Sequence, residues 1–375
     1  MDKIFFSKKK IIFNKLKNIK KNECIKNEEN EKKLTKDILV FNRIGEESKN
    51  GEVLKGCMIK KDNSCLVNFA LKKIPLENNV YKYISKPNAM KTLNKSSTFS
   101  ELFFLKKLNK LIDQRICINI PYLYKYFICD TCEFSNPMID KYFFGTNKCL
   151  IIVNDLADTI LSSFLDTNPS FEVQVNAYLQ IYIALYCIRK FFNIWHHDFH
   201  GDNVLVYKVK PGGFWQYIIN GRKCNIPNIG YLFVLTDFGY SRIPGKIEPE
   251  DLSWIYKKEN EKDPLEDYIR ISTWLYNTGP RLYSSEKKGS KSNRGNGGNS
   301  IVSIDKQNID IIKHDKIKIY SKDKTGDVLG DFLIQGLRKT SVFSVIYKLT
   351  EMANTNSILE NNKILIVLDT DKKLK

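Results

Sequence analysis

The spacing of apolar positions changes twice along the chain. Residues 38–41, 53–59 and 65–74 are short β-branched and aromatic runs, which predict a small antiparallel sheet. Within residues 100–111 the period lengthens: Leu102, Leu105, Leu108 and Leu111 recur every third residue behind the candidate caps Ser96, Ser97 and Thr98, so a helix interrupts the strands. Residues 150–153 form another buried strand. Residues 172–192 lack Pro and Gly and are largely apolar, which predicts a long buried helix. Its apolar stretch, 177–188, is interrupted by Gln180 and falls short of the roughly 20 residues a membrane span needs. No membrane span is expected. Strand-like runs return at 204–209, 214–219 and 231–235, helices resume near Pro264, and the Gly-, Ser- and Asn-rich stretch 284–300 reads as a mobile loop. Strands with one helix, followed by a mainly helical half, predict an α+β chain of two lobes. Residues 1–37 are a basic extension, 38–153 a small β-rich N-terminal lobe and 154–375 a larger, mainly helical C-terminal lobe.

Composition adds limits. With 42% hydrophobic and 12% aromatic residues, the 375-residue chain can bury a sizeable core. Sixty Lys and Arg against 42 Asp and Glu leave a charge of +18, which favours acidic partners of several kinds: nucleotides, acidic or phosphorylated proteins, nucleic acid or an anionic surface. Much of the lysine is interleaved with Asn and Ile, so nucleic acid remains an open but unfavoured partner. Nine scattered cysteines without a secretory leader predict reduced thiols in an intracellular, reducing compartment such as the cytoplasm. Cys129 and Cys132 form one CxxC, with Cys149 a distant third ligand and no fourth in view.

The densest chemistry is His196-His197-Asp198-Phe199-His200-Gly201-Asp202-Asn203, between the long helix and a strand. A polar turn, or a zinc site from His196 and His200, is the plainer reading. Downstream, Thr236-Asp237-Phe238-Gly239 follows the apolar run ending at Leu235. Together and in this order, the two motifs resemble the catalytic loop and the metal-binding D-F-G of eukaryotic-like protein kinases. That resemblance implies a two-lobed kinase fold with ATP and Mg²⁺ as cofactors. Asp198 would be the catalytic base, His200 would stand where a phosphate-steadying lysine usually lies, and Asn203 and Asp237 would be the metal ligands. In the N-terminal half, Phe69-Ala70-Leu71-Lys72 resembles V-A-I-K, which makes Lys72 the phosphate-gripping lysine and Glu101 its partner on the helix. The stretch from Ile44 to Val53 resembles a Gly-rich loop with one residue too many and no middle glycine. Gly45, Ser48, Gly51 and Val53 are carried over from it, while Glu46 and Glu47 would repel phosphate. Asn154 and Leu156, just past the buried strand, complete the nucleotide-binding set. Asp267 heads a stretch resembling the helix that braces the catalytic loop, and Pro249-Glu250 resembles a remnant of A-P-E.

The interval from Asp198 to Asp237 is longer than the family usually shows. It carries Tyr217-Ile218-Ile219-Asn220-Gly221-Arg222, Ile226-Pro227 and Gly230, with Ser241-Arg242 beyond. These features resemble haspin and the divergent Ser/Thr kinases of large nucleocytoplasmic DNA viruses, and the retained D-F-G favours the viral proteins. The resemblance implies phosphorylation of a protein hydroxyl by a monomer. Small-molecule phosphotransferases and a pseudokinase acting as a basic binding module are the alternatives. Because His197 replaces the arginine of regulated kinases, an activation segment that needs no phosphorylation is expected, with Ser241 either a modification site or a brace.

Overall fold

The computed structural model describes residues 12, 16, 24–28, 31–35, 38–48, 51–62, 64–76, 90–134, 148–252, 265–278, 333, 336–337, 341–355 and 364–374. The low-complexity stretch 284–300 lies outside these. The described chain is a mixed α+β structure.

Its first half is built on strands β1 (Lys26–Glu28), β2 (Glu31–Thr35), β3 (Ile38–Ser48), β4 (Gly51–Ile59) and β5 (Cys65–Pro75). A single helical turn, α1 (Met90–Leu93), and the longer α2 (Ser97–Asp113) then precede β6 (Leu123–Cys129) and β7 (Cys149–Asp155). The seven strands form one antiparallel sheet in the order β1-β2-β3-β4-β5-β7-β6. The alternation along β7 shows how its two faces are used. Leu150 and Ile152 join the core that contains α2, whereas Cys149, Ile151 and Val153 join a second core with Phe69, Leu71 and Phe127.

The sheet does not begin at residue 38. The expected basic extension contributes β1 and β2 to its edge, and Ile12 and Leu16 are buried in the second core. Few of these residues are apolar, so the pattern was too sparse to mark strands on a polar edge.

The second half starts with the short β8 (Thr159–Ile160) and α3 (Leu161–Leu165), followed by the 22-residue helix α4 (Phe171–Phe192). Ser170 caps α4 by accepting the Val173 N–H, and the helix ends at Asn193 in the left-handed region, φ 51°. Gln180, the break in its apolar run, is buried at the centre of a satisfied polar network. Its amide donates to Asn176 Oδ1 (2.7 Å) and the Tyr231 carbonyl (3.1 Å), and its carbonyl oxygen accepts from Asn119 and from the Phe233 N–H. Among the described residues no helix is long and apolar enough to cross a membrane.

Strand β9 (Val204–Lys208) pairs with β8 and with β12 (Tyr231–Leu235), and between them lies the hairpin of β10 (Phe214–Ile219) and β11 (Arg222–Pro227). Asn220 and Gly221 both take positive φ at its tip, as a two-residue hairpin turn requires. Helices α5 (Glu266–Thr278) and α6 (Val342–Thr355) follow, and β13 (Ile364–Asp369) closes the chain by pairing parallel to β10. Just beyond it, Asp371 accepts both turn N–H groups and the Lys190 ammonium.

The expectation of reduced thiols throughout is corrected here. Cys24–Cys129, Cys57–Cys65 and Cys132–Cys149 are paired, leaving Cys117, Cys187 and Cys224 as buried free thiols among the described residues. Tertiary packing, invisible in the spacing of the cysteines, brings these neighbours together.

Candidate active site

The sheet presents Lys72 from β5, and α2 presents Glu101 from its second turn. The Lys72 ammonium lies 2.8 Å from Glu101 Oε1 and 2.9 Å from Asp237 Oδ1, so it joins groups far apart in sequence from both halves of the chain. Burial opposes its charge, but the Asp237 and Glu101 carboxylates outweigh burial and hold Lys72 above the usual lysine range. Glu101, with its side chain only 6% exposed, is pushed upward by burial despite the ammonium beside it.

Asp237 sits where β12 runs out, in the left-handed region at φ 56°, and its Oδ1 also accepts the Gly239 N–H at 3.3 Å. Burial would raise its pKa. The Lys72 charge and hydrogen bond dominate and hold it below the usual carboxylate range. A Cβ on Gly239 would come within 3.1 Å of Asp237 Oδ1, so the glycine makes room for the carboxylate. Phe238 is fully buried against α2 and seats the turn.

The loop between α4 and β9 is held from several directions. The backbone N–H groups of His196 and His197 donate to the two oxygens of Asp267 at 2.9 Å each, and Arg189 of α4 pairs with that carboxylate at 3.4 Å. Asp267 is buried, yet Arg189 chiefly, aided by these groups, overcomes the burial penalty and lowers its pKa. His196 Nε2 meets the Thr236 carbonyl at 2.8 Å, and its ring packs between Phe199 and Phe238. Among the described residues His196 and His200 belong to no group of three or more metal-ligating side chains close enough to share an ion, so the zinc reading gains no support.

His197, at φ 63°, stacks on Trp195 and accepts Arg242 Nε–H on Nε2 at 2.8 Å, while its Nδ1 faces Glu266 at 3.6 Å. Burial, with neighbouring arginines adding to it, lowers its pKa to about 4 and keeps the ring neutral near pH 7. Arg242 also exchanges two backbone hydrogen bonds with Trp195, so the segment after Asp237 is stitched to the loop. Ser241 is fully buried and donates to the His196 carbonyl at 3.5 Å, which is the bracing role.

Asp198 projects from the middle of this loop. Asn203 Nδ2 donates to both its carbonyl (2.7 Å) and Oδ2 (3.1 Å), and His200 Nε2 stands 3.8 Å from Oδ1. Burial raises the Asp198 pKa, but the nearby His200 imidazole reverses that and leaves it below normal. His200 is raised in turn, first by the Asp198 carboxylate beside it.

Lys72, Glu101, Asp198, His200, Asn203 and Asp237 therefore belong to one linked neighbourhood. Gly45 and Ser48 lie on β3, and Gly51 and Val53 on β4, where Val53 is register partner of both Ile44 and Lys72. Ser48 pairs with Gly51, but its side chain lies outside the described set. Asn154 and Leu156 are half-buried at and just past the end of β7. Glu250 does not join this neighbourhood. It pairs with Lys95 near the start of α2, and the Glu248 and Glu250 N–H groups donate to Asn94. Sequence reasoning missed Arg189 and the Arg242–His197 contact. The one available signal was a basic residue in the last turn of α4.

No family model matches the chain. It is 27% identical over 180 residues to "Probable serine/threonine-protein kinase 380R" of Invertebrate iridescent virus 6, a match covering 45% of this chain and 33% of that protein. Over 117 residues it is 34% identical to "Putative serine/threonine-protein kinase 019R" of Frog virus 3 (isolate Goorha), covering 31% and 13%. "Uncharacterized protein 011L" of Invertebrate iridescent virus 3 is 27% identical over 139 residues, covering 36% and 18%. The chain thus spans a third or less of the length of these relatives. The likeness is distant and partial, and it supports a kinase-like relationship with viral proteins.

Proposed function

We propose that this chain is an ATP- and Mg²⁺-dependent serine/threonine protein kinase whose sheet-bearing and helical halves are the two lobes of a kinase fold. The observation that carries the reading is the Lys72 ammonium held between Glu101 and Asp237, beside a loop in which Asn203 orients Asp198. A lysine preset by two carboxylates is positioned to grip phosphate oxygens without a further ordering cost.

The donor set suits magnesium. Asp237 and Asn203 offer hard oxygen ligands, and Asn203 spends its NH₂ group on Asp198, which leaves its carbonyl oxygen for other use. Magnesium held there would offset the charge of the ATP phosphates. Asp198, ionised at neutral pH, accepts the proton of the substrate hydroxyl as that oxygen bonds to the γ-phosphorus and the bond to the ADP oxygen breaks. His200, protonated further up the pH scale than an ordinary histidine, supplies positive charge beside the transferred group. Gly45, Gly51 and Val53 cover the phosphates and base through the β3–β4 hairpin, and Asn154 and Leu156 line the adenine end.

The arginine-to-histidine contact supports an activation segment ordered without modification, because neutral His197 already receives Arg242 and Ser241 is inaccessible. The test is transfer of labelled phosphate from ATP to generic acidic and basic proteins, with Asp198→Ala as control. Transfer that disappears in the variant supports the reading. Transfer only to small hydroxyl compounds would replace it with a small-molecule phosphotransferase, and Mg-ATP binding without turnover would indicate a pseudokinase.

A further inference from the structure

Four cysteines converge at the edge of the seven-stranded sheet, away from the catalytic residues. Cys129 ends β6 and Cys149 begins β7, and the two are direct register partners. Cys132 follows Cys129 at the two-residue interval that lets both thiolates of a CxxC turn reach one metal. The sulfurs of Cys129, Cys132 and Cys149 all lie within 4.8 Å of one another. Cys24, in the segment before β1, is paired with Cys129 and brings a fourth sulfur to the cluster. A tetrahedral zinc–thiolate site has sulfur–sulfur edges of about 3.8 Å, given Zn–S bonds of about 2.3 Å, so a small separation of the Cys24–Cys129 and Cys132–Cys149 pairs on reduction would bring these neighbouring sulfurs to that spacing.

The surroundings are built for such a site. Cys129 and Cys149 are buried, and Thr131 Oγ1 approaches Cys24 Sγ at 3.8 Å as a donor. Asp130, inside the CxxC turn, pairs with Lys148, the residue before Cys149, at 2.8 Å. The Lys73 ammonium contacts the Glu133 carbonyl just past Cys132 and lies over the Phe134 ring. Cys57 and Cys65, by contrast, pair only with each other across the β4–β5 hairpin.

We propose that in the reduced protein Cys24, Cys129, Cys132 and Cys149 bind one structural Zn²⁺ as thiolates, releasing their protons on binding. The metal would fasten the N-terminal segment to the β6–β7 edge. Among the described residues, that segment is also held by Ile12 and Leu16 packing on the sheet and by Lys125 donating to the Leu16 carbonyl at 2.6 Å.

The full chain, produced with zinc in the medium and purified anaerobically under a phosphine reductant, is analysed for metal and then titrated with Co²⁺. Expected results are about one zinc per chain and the intense thiolate-to-cobalt charge-transfer band of a four-sulfur site. Cys24→Ser and Cys132→Ser should lose the band or weaken it, while Cys57→Ser keeps it. Should those variants fail to fold, the wild-type cobalt spectrum decides alone. A reduced, folded wild-type chain that holds no zinc above background and gives no such band overturns the proposal. So does a mass spectrum of the native protein, taken after treatment with the reductant, that still shows both pairs as disulfides.

Discussion

The loop around Asp198 and the hairpin of β3 and β4 face the same chemistry in this reading, yet they are held in different ways. The loop takes contacts from α4, from α5 and from the segment after Asp237, and nearly all of them are buried and charged or charge-assisted. The hairpin relies on cross-strand backbone pairing, and its register breaks between Val40 and Arg43 and again between Ile44 and Ser48. A group that must accept a proton from one atom tolerates little misplacement, whereas a cover for phosphates needs only backbone N–H groups nearby. On the proposed function, buried charged contacts surround the proposed base, whereas the proposed phosphate cover is held by backbone pairing.

The comparison predicts its sharpest break at Asp198. Asp198→Ala should lower phosphoryl transfer by roughly 10²–10⁴-fold with Mg-ATP binding and melting temperature nearly unchanged, read by kinetics beside thermal shift. An unchanged rate would show that the loop is braced for some other purpose. Next in size, Asp267→Ala should cost on the order of 3–5 kcal/mol of stability, because it leaves Arg189 and the His196 and His197 N–H groups buried without their partner. A chemical denaturation midpoint equal to wild type would mean that the brace carries no load.

In the hairpin the two glycines should separate. Gly51→Ala puts a Cβ 2.4 Å from the Lys73 carbonyl at φ 143°, and should destabilise by about 1–3 kcal/mol. Gly45→Ala meets no neighbour within 4 Å and pays only for its φ of 79°, about 1 kcal/mol. Equal denaturation midpoints for the two would contradict the difference in packing.

Two further effects concern pH. The folded pKa of His200 is raised, so its charge is complete below the ordinary value of about 6.5 and is lost only as pH climbs through the raised value. The alkaline limb of the rate profile should therefore fall with wild type and flatten in His200→Lys. Superimposed profiles would make His200 a packing residue. His197 runs the other way: its folded pKa of about 4 lies below 6.5, so stability should decline as pH drops from about 6.5 toward 4, by up to about 1.4 kcal/mol per pH unit. A flat melting temperature across that window would place His197 in contact with water.

Local pattern was enough for the strands and helices that carry the site. The β-branched runs became β4, β5 and β7, the three-residue leucine spacing became α2, and the two acidic motifs fell at the ends of α4 and β12 as their flanking apolar runs required. Other features looked like noise in one dimension. Glu31–Thr35 has too few apolar residues to announce a strand, because an edge strand buries little. Gln180 looked like a blemish in a buried helix, and its value as a hub depends on Asn119 and the β12 residues Tyr231 and Phe233 packing against it beside Asn176, one turn back on its own helix.

The sequence by itself therefore determined which residues could do acid–base and metal chemistry, because spacing along a strand or helix is a local property. Only the tertiary structure decided which distant groups meet: Lys72 with Asp237, Arg242 with His197, and Cys24 with the CxxC turn. The reason is physical. Buried charges and sulfurs are stabilised by partners that chain packing brings within a few ångströms, and no local propensity encodes that distance.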